Sequence, residues 1–346
     1  MTSTTLTRVN PSTGSDFSAL SRRIVAAGLL RRRSRYYAVR FLVTDAAFVA
    51  GWVLFAWLGD SWAQLLVAAL LAVAFTQVAF LGHDAGHRQV SGRRGRSDVL
   101  GLLHGSLGVG LSYGWWMDKH TRHHANPNHE DRDPDVGAGA LVWTREQAAT
   151  RRGLLAALAR RQAFLFFPLL LLEGLNLHVS SVRAVLRMPM RHRRWDAVLL
   201  AAHLLGYSAA VLLTLSPLRA LAFVAVQQGL FGLYMGCAFA PNHKGMPVLT
   251  ERDRLDFLRR QVLTSRDVGG AAVGVLLGGL NYQIEHHLFP SMPRPNLRRA
   301  RPLVAQFCAE RGIDYRSTTL TESYRQVLRY LHEVGAPLRQ GRSPRG

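Results

Sequence analysis

Long apolar segments without basic residues are the feature of this sequence that most restricts its fold. Residues 41–82 contain no Lys or Arg, and their only carboxylates are Asp45 and Asp60. A segment of roughly 20 apolar residues is long enough to cross a hydrocarbon core about 30 Å thick. Because helices satisfy their own backbone polar groups in lipid, the pattern predicts an all-α integral membrane protein.

Four membrane spans can be placed along the chain. We expect them at residues 39–58, 62–81, 197–215 and 221–239, paired in two hairpins with very short connections. Neither connection carries more than one basic residue, whereas the long segments on the other side carry nearly all the others. Lys and Arg concentrate in the cytoplasmic segments of membrane proteins. We therefore expect both termini and every long segment in the cytoplasm, with the spans in the cell membrane.

The apolar stretch at residues 164–185 is the ambiguous segment. It is long enough to span, yet it contains Pro168 and Glu173, and arginines flank both of its ends. Because a true span usually shows unequal charge at its two ends, we expect an interfacial helix instead. Two amphipathic patterns at residues 296–311 and 322–333 predict helices of a cytoplasmic cap that holds the metal site described below.

The composition outside the spans indicates the domain bounds and the partners of the chain. We expect a polar and basic segment at residues 1–34, a single domain at 35–335 and a flexible tail at 336–346. The 43 basic residues exceed the 22 acidic ones, so the net charge is +21. Since the arginines flank apolar spans, they suit an anionic lipid surface, and nucleic acid is not an expected partner. Two cysteines, Cys237 and Cys308, do not provide a disulfide framework.

Eight of the 14 histidines fall into four short motifs, HDAGH, HTRHH, PNHKG and QIEHH. They are His83, His87, His120, His123, His124, His243, His286 and His287. Residues i and i+4 of a helix differ by about 40° in rotation, so the histidines of one motif share a face. Imidazole nitrogen is a good ligand for iron, zinc and copper. Eight histidines are too many for one ion, and the motifs therefore predict two metals on the cytoplasmic side.

At this spacing, HDAGH, HTRHH and QIEHH resemble the three histidine boxes of the membrane fatty acid desaturase family. The resemblance covers residues 37–294 and extends to the stretches WWMDKHTRHHANPNHEDRDPD and FAPNHKGM. Gln283, in place of a first histidine in the third box, resembles the branch of acyl-lipid, linoleoyl-type and front-end desaturases. The resemblance implies an enzyme that uses O2 to insert a double bond into a long acyl chain carried by CoA, a carrier protein or a glycerolipid.

The resemblance also implies the cofactor and the electron donor. It implies two iron ions held by the eight histidines, with Gln283 and Asn242 as further ligands, directly or through a water. Front-end members often carry a fused cytochrome b5 domain with a haem-binding HPGG motif, and this sequence contains no such motif. A separate donor is therefore expected, such as a ferredoxin with its reductase, and a basic cytoplasmic face suits an acidic donor.

Other residues near the boxes are candidates for supporting roles. Four carboxylates are placed to orient histidine N–H groups, although solvated loop charge is the plainer interpretation: Asp84, Asp118, Asp131 and Glu285. Four aromatic residues are placed to line a narrow acyl tunnel or simply to pack: Tyr113, Trp115, Trp116 and Tyr282. Three basic residues are candidates for contacting a headgroup phosphate: Lys119, Arg122 and Lys244. The two lysines are the only ones in the chain.

Two other interpretations stay open at this point. A fatty acid hydroxylase or a lipid ketolase would use the same histidine framework, and the sequence does not show which outcome follows hydrogen removal. A zinc-binding receptor or transporter would place its ligands inside the spans, near the middle of the membrane. Here the motifs lie at the ends of spans and in long segments, which disfavours the transporter. The double-bond position, the chain length and the oligomeric state are left open.

Overall fold

A computed structural model describes residues 15–339, which form seventeen α-helices and two short strands. The helices of the first half are α1 Asp16–Ala26, α2 Ser34–Leu58, α3 Gln64–Gly86, α4 Arg94–Gly101, α5 Tyr113–Ala125, α6 Arg145–Thr150, α7 Gly153–Arg160, α8 Gln162–Leu170 and α9 Glu173–Arg187. The second half contains α10 Arg193–Thr214, α11 Pro217–His243, α12 Phe257–Leu263, α13 Ala271–Leu276, α14 Gln283–Leu288, α15 Arg294–Ala309, α16 Leu320–Val334 and α17 Ala336–Arg339. The strands β1 Asp267–Gly269 and β2 Ser317–Thr319 pair in parallel.

Four helices of the described range are long and apolar enough to cross a membrane, namely α2, α3, α10 and α11. They coincide with the four spans expected from the sequence, which confirms that part of the prediction. Their outer faces expose large apolar side chains such as Leu42, Leu66, Leu205 and Leu213, as a lipid-facing surface requires. Helices α3 and α11 extend past the expected ends at residues 81 and 239, and these extra turns carry two of the histidines.

Helix α3 is the most buried of the four because α2 and α11 pack against it. The ring of Phe75 lies at the centre of this contact, 5.2 Å from the ring of Phe48 and 6.0 Å from that of Phe231. Helix α11 also packs against α9, and it makes only a light contact with α10. The two spans that carry histidines of the four motifs, α3 and α11, therefore lie side by side.

The single interfacial helix expected at residues 164–185 is wrong in one respect, because the segment forms two helices. Helix α8 ends at Leu170 and α9 begins at Glu173. Pro168 lies inside α8, and the two turn residues Leu171 and Leu172 separate the helices. The break also packs closely on α11, since a Cβ at Gly232 would lie 2.3 Å from the backbone nitrogen of Gly174. Helices α7 and α8 are bent by 101° relative to each other.

The amphipathic helices expected at residues 296–311 and 322–333 are confirmed as α15 and α16. Helix α1 was not expected from the sequence. It buries Leu20 and Ile24 in a cluster with residues of α12, α14 and α15. Residues 1–14 of the expected N-terminal segment lie outside the described residues.

The start of the expected flexible tail is ordered as a helix. Residues 336–339 form α17, whose Leu338 packs against the cluster that contains Val334. The Arg339 side chain donates a hydrogen bond to the Arg160 carbonyl at 3.2 Å. These contacts attach the segment to α7 and α16, and residues 340–346 lie outside the described range.

A buried carboxylate fixes the beginning of α5, the helix that carries HTRHH. Asp196 of α10 accepts hydrogen bonds from the hydroxyls of Ser106 at 2.6 Å and Ser112 at 2.7 Å. It also accepts one from the backbone N–H of Gly114 at 2.9 Å. A carboxylate at this position satisfies the free N–H groups of the first helical turn and interacts favourably with the helix dipole.

The histidine inside the third span, His203, has a structural partner. A seven-residue π-helix at Leu102–Gly108 precedes α5. The carbonyls at its end lack helical partners, and the Nδ1 atom of His203 lies 2.8 Å from the Leu107 carbonyl. The Nδ1 atom of His178 lies 2.8 Å from the carbonyl of Gly110, in the loop that follows. These two histidines bond backbone groups and lie apart from the four motifs.

Candidate metal centre

The four histidine motifs come together at one end of the four apolar helices. His83 lies in the last turn of α3, and His87 caps that helix. The HTRHH motif lies on α5, His243 ends α11, and QIEHH lies on the six-residue helix α14. The ring centres of His124 and His286 lie within 5.0 Å of each other. The rings of four more histidines lie within 5.0 Å of one or both of them, which makes one continuous cluster: His83, His87, His120 and His287.

Four of these histidines form a first group, His83, His87, His120 and His286. One ring nitrogen from each lies within 4.8 Å of the others, a spacing that can hold a metal ion. The Nε2 atoms of His87 and His120 are only 2.8 Å apart. Within the described residues, both nitrogens of His286 and Nε2 of His83 are buried without a hydrogen-bond partner. Buried polar atoms normally have partners, so these nitrogens require one.

Three histidines form a second group, His123, His243 and His287. The Nε2 atoms of His243 and His287 are 3.1 Å apart. Gln283 adjoins this group, with its side-chain amide nitrogen 2.9 Å from His243 Nε2. The side-chain oxygen of Asn242 is buried without a partner among the described residues. Both amides named in the sequence analysis therefore lie beside the second group.

His124 lies between the two groups. Its Nε2 is 3.0 Å from Nε2 of His120, which belongs to the first group. Its ring stacks on that of His287, from the second group, with 4.2 Å between the ring centres. The structure thus brings together all eight histidines singled out in the sequence.

In the second group, an oxygen atom holds the Nδ1 of each histidine. Asp133 Oδ2 lies 2.8 Å from His123 Nδ1, and Gln261 Oε1 lies 2.9 Å from His287 Nδ1. The Thr264 carbonyl lies 3.1 Å from His243 Nδ1. An oxygen acceptor on Nδ1 fixes the ring tautomer and leaves Nε2 free to bind a metal.

None of these three partners was expected from the sequence. Asp133 lies ten residues after His123, in the acidic loop where Asp131 was chosen instead. Gln261 and Thr264 belong to α12 and the turn after it, and no sequence motif marks them. Gln261 also donates from its amide nitrogen to the His124 carbonyl at 2.9 Å, so it connects the HTRHH and QIEHH motifs.

The electrostatics of the cluster favour neutral imidazoles. Burial, and then the neighbouring histidines, lower the pKa of His120, His124, His286 and His287 well below the usual range. A neutral imidazole presents the lone pair that a metal needs. Two neutral ring nitrogens at 2.8 to 3.1 Å need a proton or a cation between them. This donor set fits borderline metals such as iron or zinc.

Of the four carboxylates expected to orient histidines, Asp84 is the one that lies near a histidine nitrogen. Its Oδ1 is 3.4 Å from His83 Nδ1, and its Oδ2 pairs with the buried Arg294 at 2.7 Å. Asp118 pairs with Arg122 on the exposed face of α5. The Asp131 side chain is exposed and makes no hydrogen bond to a histidine within the described residues.

Glu285, the fourth expected carboxylate, contacts another carboxyl group and not a histidine. The Tyr315 hydroxyl lies 2.9 Å from Glu285 and 2.7 Å from Asp267. A hydroxyl donates only one proton, so the Tyr315 hydroxyl satisfies one of the two carboxyls at a time. Burial and mutual repulsion raise the pKa of Glu285 well above its usual range. Asp267 also accepts from the Ile284 N–H and thereby fixes the start of α14.

A mostly apolar cavity of about 250 Å³ opens beside the second group. Trp115, Trp116, Lys119 and Lys244, four of the residues singled out in the sequence, line it. Its apolar wall comes from the loop before α6 and from α8, α9 and α11, with Leu141, Phe166, Leu170, Leu177, Met235 and Phe239. His120, His123, His243 and Gln283 line the same space. The cavity therefore connects an apolar channel to the histidines.

Three residues expected at the tunnel or its mouth lie elsewhere. Tyr113 begins α5 and its ring packs against Gly101, where a Cβ would lie 2.2 Å from the ring. Tyr282 packs in the apolar cluster beneath α1 and α15. Arg122 lies on the exposed face of α5, paired with Asp118 at 2.9 Å. The phase of α5 explains why Tyr113 and Arg122 lie outside this cavity, because Trp115, Trp116 and Lys119 occupy the cavity side of that helix.

Both lysines are already engaged at the cavity wall. Lys119 pairs with the Asp135 carboxylate at 2.5 Å, and Lys244 donates to the Asp135 carbonyl at 2.7 Å. The Lys244 ammonium also lies 4.1 Å from the centre of the Trp143 ring, a cation–π contact. Burial raises the pKa of Asp135, but Lys119 and His123 outweigh it and hold that pKa well below its usual range.

Helix α16 clamps the end of α11 that carries His243. Pro241 has no N–H, so the Cys237 carbonyl one turn earlier loses its helical partner. The Tyr324 hydroxyl donates to that carbonyl at 2.7 Å, and the Ser323 hydroxyl donates to the Pro241 carbonyl at 2.5 Å. The last turn of α11 is thereby fixed from outside.

Comparison with known proteins assigns the chain to a family. The family model for fatty acid desaturases matches residues 60–319, a range that contains every histidine of the cluster. The chain belongs to the fatty acid desaturase family. This agrees with the resemblance found in the three histidine boxes. The matched range contains the histidine cluster and all of the residues that line the adjoining apolar cavity.

Individual desaturases match most of this chain. An acyl-lipid (9-3)-desaturase of Physcomitrium patens is 31% identical over 331 residues, which is 92% of this chain and 62% of the moss protein. The delta(6)-fatty-acid desaturase fat-3 of Caenorhabditis elegans is 29% identical, over 92% of this chain and 74% of its own length. A delta(8)-fatty-acid desaturase of Helianthus annuus is 26% identical, over 95% and 75% respectively. The chain thus spans about three fifths to three quarters of these relatives.

Proposed function

We propose that this protein is an O2-dependent fatty acyl desaturase that inserts a double bond into a long acyl chain at a di-iron centre. The observation that carries this proposal is the shared boundary between the histidine cluster and one mostly apolar cavity. Membership of the desaturase family supports it. A methylene chain in this cavity would lie directly against the proposed metal ligands.

The proposed iron ligands are the eight histidines of the cluster. His83, His87, His120 and His286 would hold one ion, and His123, His243 and His287 the other, with His124 beside both. Iron with O2 would supply the strong oxidant that removal of hydrogen from an unactivated CH2–CH2 unit requires. Gln283 and Asn242 adjoin the second group, where each is placed to bind the metal directly or through a water.

The residues of the chain position the substrate and exclude water. The Trp116 ring stacks on His120 with 4.5 Å between ring centres, which closes one wall of the cavity at the first group. Phe166, Met235 and Phe239 make the opposite walls apolar. A dry channel keeps an acyl chain extended and keeps water away from the reactive site. The depth of this channel relative to the metals would set the double-bond position.

We propose the following membrane arrangement. Helices α2 and α3 form one hairpin and α10 and α11 the other, with both termini and the metal site cytoplasmic in the cell membrane. The distribution of arginine supports this orientation. The remaining helices would form a cytoplasmic cap on a single domain, whose expected range of residues 35–335 is extended at its two ends by α1 and α17.

The proposed partners are a long-chain acyl substrate and a separate electron donor. CoA, a carrier protein and a glycerolipid are all candidate carriers of the acyl chain, and the printed names of the relatives include an acyl-lipid desaturase. The donor would be an acidic protein such as a ferredoxin, which is reduced again by its reductase. The excess of Arg over acidic residues supports an acidic partner.

The test is a fatty acid profile by gas chromatography–mass spectrometry. The protein is expressed with a ferredoxin and its reductase in a host that lacks the activity. A His287→Ala variant removes a proposed ligand, and a His332→Ala variant removes an exposed histidine outside the cluster. We expect a new unsaturated acid with the wild type and with His332→Ala, and none with His287→Ala. A hydroxy acid as the new product would replace desaturation by hydroxylation.

A further inference from the structure

A second, polar groove lies next to the apolar cavity. Its volume is about 640 Å³, and it is bounded by β2, α16 and the turn after α11. Lys244 lines the apolar cavity, and its neighbour Gly245 lines the groove. Tyr330 also lines the groove and donates a hydrogen bond to the carbonyl of Trp143, which lines the cavity. The two spaces therefore share a thin wall.

A buried guanidinium without a carboxylate partner lines this groove. Arg266 is 1% exposed, and its donors bond the Pro241 carbonyl at 2.6 Å, the Lys244 carbonyl and the Gln326 side-chain oxygen at 2.5 Å. Within residues 15–339, no carboxylate oxygen lies within 4.0 Å of it. A buried charge without a counter-charge is costly. The carbonyl end of α11 offsets part of that cost.

Two more arginines increase the positive charge of the groove. Arg316 is exposed and pairs with Asp314, and Arg329 is exposed without an ion pair in the described part of the chain. Burial, and then repulsion from Arg316, lower the pKa of Arg266 to about 10. Glu333 is the single carboxylate among the groove residues, all of which are described. The three guanidinium groups face the Glu333 carboxylate in the groove and the Asp314 carboxylate paired with Arg316, so the charge of the groove stays positive and suits an anion.

We propose that this groove binds the phosphate groups of the molecule that carries the acyl chain. Guanidinium groups bind phosphate through paired N–H donors, and the hydroxyls of Ser317 and Thr318 line the same groove. A carrier held there would place its acyl ester at the wall formed by Lys244 and Trp143, beside the apolar cavity. The inference rests on the proposed function, because it concerns the same substrate. CoA and a glycerophospholipid both present this chemistry.

Binding measurements on the purified full chain test the groove without any turnover. The probe is CoA without an acyl group, titrated by calorimetry, with inorganic phosphate as competitor. The test variant combines Arg316→Glu with Arg329→Glu and leaves Arg266 unchanged, since its bonds hold the end of α11. The matched control is Arg325→Glu, which reverses an exposed arginine of the same helix that pairs with Glu322 and lies outside the groove.

We expect CoA affinity to fall at least tenfold in the double variant and to stay within twofold in the control. A soluble short-chain phosphatidate is the second probe. If it shows the same variant dependence and CoA does not bind, the groove holds a lipid phosphate. If neither probe binds, or if both variants bind them equally, the proposal is overturned. The titrations involve no iron and no O2, so they are independent of catalysis. If the protein forms unsaturated product but fails the binding test, the proposed groove is wrong and the proposed function stands.

Discussion

The two groups of histidines differ in what their Nδ1 atoms contact. In the second group every Nδ1 has an oxygen atom at hydrogen-bond distance, whereas among the described residues only His83 of the first group has a side-chain oxygen near its Nδ1. In the second group these oxygens come from Asp133, Gln261 and the Thr264 carbonyl, at 2.8 to 3.1 Å. In the first group the Asp84 oxygen near His83 is 3.4 Å away. Both nitrogens of His286 lack a partner among the described residues. The same residue type is therefore held in two different ways.

The difference teaches where rigidity comes from in this site. Oxygen partners fix the rings of the second group, which lines the apolar cavity. The first group depends on packing and on the buried ion pair between Asp84 and Arg294. A ring held by a hydrogen bond keeps its orientation without a metal, whereas a ring held by packing adjusts when one binds. We therefore expect the second group to be the more preorganised of the two.

Removal of a histidine from either group has the largest expected effect. His83→Ala deletes a nitrogen of the first group and His123→Ala one of the second. Each variant should form no detectable unsaturated product, because both ions are needed, and each should lose about one metal per chain. The check is product analysis together with metal content. Full activity in either variant would remove that histidine from the centre.

Breaking the buried ion pair between Asp84 and Arg294 should lower the stability of the protein. Asp84→Asn leaves the Arg294 charge buried without its partner, which typically costs about 3–5 kcal/mol. The exposed pair of Asp118 with Arg122 is the matched control, and Asp118→Asn should cost about 0–1 kcal/mol. Thermal unfolding in detergent measures both. Equal midpoints for the two variants would show that the buried pair stabilises the protein no more than the exposed one.

Loss of an oxygen partner should act on the second group alone. Asp133→Asn weakens the acceptor on His123, and such partners typically contribute about 10–100-fold to metal affinity or activity. Asp131→Asn changes an exposed carboxylate of the same loop and should leave metal affinity unchanged. Metal titration of the two variants compares them. If Asp131→Asn has the larger effect, the assignment of Asp133 is wrong.

The clamp on α11 gives the smallest expected effect. Tyr324→Phe removes the hydrogen bond to the Cys237 carbonyl and should destabilise the protein by about 0.5–1.5 kcal/mol. The Tyr36 hydroxyl makes no hydrogen bond within the described residues, so Tyr36→Phe should change little. Thermal unfolding detects the difference, and metal content shows whether the second group is affected. A larger loss of the first metal than of the second would contradict the role of the clamp at His243.

The sequence was sufficient for the spans and the histidine motifs because both are local patterns. A run of apolar residues and an i, i+4 pair of histidines are visible within a few residues of each other. Gln261 illustrates what is not visible, since it meets His287 across 26 positions with no motif of its own. Asp131 and Asp133 are equally acidic in sequence, and the loop conformation alone decides which one meets His123.

Helix breaks and helix phase were likewise beyond the sequence. The segment at residues 164–185 reads as one helix, and its division depends on the close approach of Gly174 to Gly232. Tyr113 and Trp115 are two residues apart, yet the first packs on Gly101 and the second lines the cavity. The outcome depends on which neighbours surround α5, and this is a property of the whole fold.

Iron content per chain, measured by mass spectrometry of the purified protein and of its Asp133→Asn variant, tests the central claim most directly. The account predicts two irons per wild-type chain and a fall towards one in the variant, because the second group loses its orienting oxygen. One iron per wild-type chain would contradict a centre of two groups. Zinc in place of iron would contradict the proposed oxidation itself.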